Sequence, residues 1–111
     1  MTVADIAALD AFRTLTGDIG MKNEITGAYA GDLLSWVMGK AKEGDCWITI
    51  QGHVNISAVA SLAGVACVVV AENAVVNEEA LRKAAEAGIP ILTSRLPIYE
   101  ICKLLAGIIT R

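Results

Sequence analysis

The stretch that decides the fold is Cys46–Ala71, CWITIQGHVNISAVASLAGVACVVVA, an uncharged run bounded by Asp45 and Glu72. It is longer than the roughly 20 apolar residues a helix needs to cross a bilayer. Its content argues against a span: Gln51, Gly52, His53 and Asn55 fall inside it, Gly64 interrupts it, and both flanks are acidic where basic anchors are expected. Divided at those polar and glycine signals, it reads as a strand at 47–50, a helix at 55–63 stopped by Gly64, and a second strand at 66–71. A continuous apolar strand such as CVVV is what a sheet covered on both faces requires.

Working outward, the C-terminal side continues the alternation. Asn77 reads as the cap of a helix carrying Glu78, Glu79, Arg82 and Lys83 and stopped by Gly88. A strand follows at 90–93, and Pro97 opens a last helix with Ile98, Ile101, Cys102 and Leu105 on one face. On the N-terminal side, Gly31 and Asp32 open a helix in which Leu33, Leu34, Val37, Met38 and Ala41 recur at helical spacing. Before it, residues 13–16 and 24–29 are candidate strands. Thr2 with Asp5 resembles the start of a short helix ending near Phe12. The expected fold is a single α/β domain over residues 1–111, three-layered, with a mainly parallel sheet built from βαβ crossovers.

Composition narrows the function. With 111 residues, one core is expected. Hydrophobic residues make up 55% and aromatic ones 5%, and the mean hydropathy is +0.56, which points to more apolar surface than one small domain hides and hence to an oligomer. The net charge of −3 and the absence of a basic block exclude the electrostatic footprint of a nucleic-acid binder. The acidic N-terminus is no signal peptide, and Cys46, Cys67 and Cys102 form no CxxC pair, so reduced thiols and a cytoplasmic protein are expected.

The segments GAYAGDLLSWVMGKA (27–41), WITIQGHVNISAVASLAGVACVVVA (47–71) and AAEAGIPILTSRLPIYEICKLL (84–105) resemble the DRTGG domain, the module similar to the N-terminal domain of HPr kinase/phosphorylase. The resemblance runs from about Val3 to Leu105 and carries the landmarks Gly31-Asp32-Leu33 and Ala87-Gly88-Ile89-Pro90. It implies a stand-alone member of the kind encoded near iron-only hydrogenase subunits, and a regulatory role without an invariant catalytic residue. Such proteins often carry a label as HPr serine kinases. A kinase of that type needs a P-loop whose amides cradle phosphate, and no GxxxxGK[ST] occurs here, so no enzyme activity is expected. Where many family members have a Gly-Asp-Arg-like turn, this chain has Gln51-Gly52-His53.

Two stretches are candidates for function. At the turn after the central strand, Gln51, Gly52, His53 and Asn55 sit where ligands collect at the carboxyl ends of parallel strands, with Arg95 as an anion donor from the last strand. The structural reading beside it gives Gly52 to the turn, Asn55 to the helix cap and His53 to one backbone hydrogen bond. Asp32, near Ser35, reads first as a cap, and Trp36 and Trp47 as core or interface. The helix at 55–63 lacks a charged face, which suggests burial on a second side and a subunit contact through Ile56, Val59, Ala60 and Ala63. One histidine and scattered acids assemble no metal cluster and no catalytic set, and no cofactor is expected. The leading expectation is a non-catalytic regulatory or assembly module, a cytoplasmic homodimer acting through an unknown protein partner. The alternative is a sensor for a small anionic metabolite or nucleotide at the His53 turn.

Overall fold

The apolar strand 67–70 lies at the middle of a five-stranded sheet, as its lack of charge requires. A computed structural model describes residues 1–109. In chain order the elements are α1 (Val3–Ala7), β1 (Arg13–Thr14), β2 (Gly27–Ala30), α2 (Leu34–Lys40), β3 (Asp45–Thr49), α3 (Asn55–Ala63), β4 (Cys67–Val70), α4 (Glu78–Glu86), β5 (Ile91–Thr93) and α5 (Ile98–Ala106). The sheet order is β1-β5-β4-β3-β2, parallel throughout except for β1, which runs antiparallel to β5. The expected α/β fold with a mainly parallel sheet is therefore the observed one.

Strand alternation divides the core into two. Cys46, Ile48, Cys67, Val69 and Leu92 meet α1 and α5, whose Val3, Ile6, Ile101 and Leu105 are buried against them. Trp47, Val68, Val70 and Ile91 point the other way, onto Val37 of α2, Ile56, Val59 and Ala60 of α3, and Ala80 and Ala84 of α4. Residues one apart on a strand thus feed opposite helix layers, which is why the strands must be apolar at every position. Gly64 ends α3 in the left-handed region at φ 74°, where a side chain would be strained.

Three of the boundaries that differ from the sequence reading have a plain cause. Helix α1 stops at Ala7, and two tight turns, Leu9 N–H to Ile6 O and Phe12 N–H to Leu9 O, then bring Phe12 into the core. Strand β2 begins only at Gly27, because Glu24 is used in an isolated bridge to Thr2. Helix α2 begins at Leu34 and has no side-chain cap: Asp32 instead accepts hydrogen bonds from Thr49 Oγ1 at 2.8 Å and Ile50 N–H at 2.9 Å. A long-range tie to the end of β3 has displaced the local cap.

Candidate functional site

The carboxyl ends of β3, β4 and β5 share one edge of the sheet, and the loops leaving them form two separate places. The first is the turn after β3. Asp32 holds Thr49 and Ile50, and Thr49 Oγ1 in turn accepts the Gln51 N–H at 3.1 Å. Gly52 is pressed against the β4–α4 loop: a Cβ there would stand 1.9 Å from the Val75 carbonyl oxygen, and the Asn77 N–H donates to the Gly52 carbonyl at 2.8 Å. The exposed His53 accepts the Asn55 N–H through Nδ1 at 3.1 Å. His53 therefore closes the first turn of α3 with its side chain. Asn55 is the first helical residue and Val54 the N-cap, so the cap expected of Asn55 is not made and α3 has no side-chain cap from Val54.

The second place is a cleft of about 650 Å³ between β1, the end of β5 and the loop from β4 to α4. Its apolar lining includes Phe12, Leu15, Val76 and Leu81, and its polar lining Asp10, Arg13, Asn73, Glu78, Thr93, Ser94 and Arg95. Arg95 belongs to this cleft, whereas Gln51, Gly52, His53 and Asn55 do not line it. The five residues expected to share one site are thus split, because the β4–α4 loop docks onto Gly52. That loop is itself tightly held. Glu72 and Asn73 adopt left-handed conformations at φ 59° and 51°, and their N–H groups donate to the Leu96 and Ser94 carbonyls at 3.0 and 2.8 Å. Consecutive left-handed residues other than glycine are costly, and such strain gathers at functional sites.

Sequence reasoning reached Arg95 but missed Asp10, Arg13, Asn73 and Glu78. The available signal was the short candidate strand at 13–16: in the sheet, Arg13 stands opposite Thr93.

The expected interface residues fall elsewhere. Ile56, Val59 and Ala60 are buried against the chain's own sheet and Ala63 packs at the margin of the same cluster, so a partner reaching α3 meets Asn55, Ala58, Ser61 and Leu62 instead. The two tryptophans divide: Trp47 is buried and donates from Nε1 to the Gly31 carbonyl at 2.9 Å, while Trp36 is 58% exposed.

The thiols are structural in character. Cys46 and Cys67 are paired across β3 and β4 in the core, where the hydrogen bond to Cys46 and burial push the Cys67 thiol well up. Among the described residues, no group of three or more His, Cys, Asp or Glu could hold a metal ion. Nor is any helix among them long and apolar enough to cross a membrane. In comparisons with known proteins, no family model and no curated protein matches the chain.

Proposed function

We propose that this chain is a non-catalytic regulatory or assembly module, a cytoplasmic homodimer of the DRTGG type that acts through a further protein partner. The observation that carries this reading is the outer surface of α2 and α3. In α2 only Val37 is fully buried, while Leu33, Trp36 and Met38 are exposed. Beside it, α3 presents Asn55, Ala58, Ser61 and Leu62, with Leu62 74% exposed and no charge on the helix. Large exposed apolar side chains on neighbouring helices that carry few charges are the mark of a protein contact. The occupant we favour is a second copy, since the same excess of apolar residues that argues for an oligomer is found on this face. The non-catalytic part of the reading rests on the missing P-loop.

Size-exclusion chromatography with light scattering tests it. A mass twice the 11.6 kDa of the chain is expected, and a monomer at all accessible concentrations would overturn the homodimer. A second reading, a sensor for a small ligand, is favoured by the carboxyl-edge cleft, where the guanidinium groups of Arg13 and Arg95 have no ion-pair partner among the described residues.

A further inference from the structure

We propose that the cleft between β1, β5 and the β4–α4 loop binds a small zwitterion of the amino-acid class, with its carboxylate held by Arg13 and Arg95 and its ammonium by Asp10 and Glu78. The inference deepens the sensor reading by naming the ligand. The cleft's size falls within the roughly 300–1,000 Å³ of small-molecule sites. Three observations point to an occupant of this chemistry.

The first is the charge. Arg13, Arg95, Asp10 and Glu78 all line one cleft, yet among the described residues they form no salt bridge with one another or with anything else. On α4 next door, by contrast, Arg82 pairs with both Glu79 and Glu86 and leaves no such set of charges facing one space. Two cations and two anions facing one space balance out, so a simple dianion gains at the arginines and loses at the carboxylates. A molecule with both charges is complementary to all four.

The second is Thr93. It is only 6% exposed, and its hydroxyl has no hydrogen-bond partner among the described residues, yet it is not sealed from solvent. A hydroxyl with no protein partner is free to donate to or accept from whatever occupies the space it borders. Thr93 lines the cleft. The third is the apolar lining by Phe12, Leu15, Val76 and Leu81, which suits a nonpolar side chain.

Isothermal titration calorimetry with each standard amino acid, and with N-acetylated and amidated forms of any that bind, tests the proposal. Saturable binding of at least one amino acid is expected. Acetylation or amidation should weaken it about tenfold or more, as should Arg95→Gln or Glu78→Gln, each removing one charge-assisted hydrogen bond. Thr93→Val should weaken it several-fold, and Arg82→Gln on α4 should leave it unchanged. Inorganic phosphate and AMP are the comparison arms. If either binds while no amino acid does, the zwitterion is overturned and the sensor reading stands. If nothing binds, both fall. Binding that Arg95→Gln and Glu78→Gln leave unaltered would also overturn the proposal, because it would lie outside this cleft. Both variants alter exposed side chains, so folding is retained.

Discussion

Helices α3 and α4 lie side by side on one face of the sheet and treat water in opposite ways. Helix α4 is built for solvent: the Asn77 side chain accepts from Glu79 N–H at 2.8 Å and Ala80 N–H at 3.3 Å, acids fill its first turn, and Arg82 links Glu79 to Glu86 across its outer face. Helix α3 has none of these. Its outward residues are Asn55, Ala58, Ser61 and Leu62, and its first turn is closed by a histidine from the preceding loop. Helix α2, on the other side of α3, extends the apolar surface with Leu33 and Trp36, and Lys40 lies 5.0 Å from the Trp36 ring centroid. Helices supported by the same sheet therefore differ in what they present outward. Both helices pack an inner face on the sheet, α3 through Ile56, Val59 and Ala60 and α4 through Ala80 and Ala84, and the contrast in charge lies on their outer faces.

The sharpest way to separate the two faces of α3 is by charge. Ala60→Glu places a carboxylate against the sheet, and a loss of more than about 3 kcal/mol or outright unfolding is expected in a urea melt. Leu62→Glu, two residues on, lies on the outer face and should leave the stability of the monomer within about 0.5 kcal/mol. Near-equal losses would mean that α3 has no free side.

Gly52→Ala probes how the turn before α3 is held. The added methyl meets the Val75 carbonyl, so a loss of about 2 kcal/mol is expected by thermal unfolding. No change would show that the β4–α4 loop does not rest on the turn.

The capping contrast is smaller. Asn77→Ala should cost about 1 kcal/mol by removing the cap of α4. Asn55→Ala should cost at most about 0.5 kcal/mol, because His53 and not Asn55 closes that turn. Equal costs would erase the distinction between the helix starts. Least of all, Arg82→Ala should lose about 0.5 kcal/mol, shrinking with added salt, as befits exposed ion pairs.

Much of this was legible in the chain, and the reason it was legible is local. From Trp47 onward, apolar runs and their punctuation by Gly64, Asn77, Gly88 and Pro97 coincide with element ends, because those residues impose their conformations without help from distant chain. Earlier elements are short, and pairing decides them: β1 exists because Arg13 and Thr14 lie beside Thr93 and Leu92. Asp32 could not be told from a cap, since its partners Thr49 and Ile50 are brought to it only by the β2–β3 pairing. Which stripe of α3 faces inward was misread for a related reason. In a helix without charges, periodicity does not say which apolar stripe faces inward, and Ile56, Val59 and Ala60 took the inner side. The cleft escaped notice because it joins residues from three loops far apart in sequence.

The central claim is that the α2–α3 face is covered by protein while the α4 face is left to water. Sedimentation equilibrium on the wild type, Trp36→Glu, Leu62→Glu and Glu79→Lys tests it most directly. The account predicts a wild-type dimer, dimerisation weakened at least about thirtyfold by Trp36→Glu, as for a buried aromatic anchor, a smaller shift in the same sense for Leu62→Glu, and none for Glu79→Lys. A dimer that survives both substitutions on α2 and α3, or one that Glu79→Lys breaks, would contradict it.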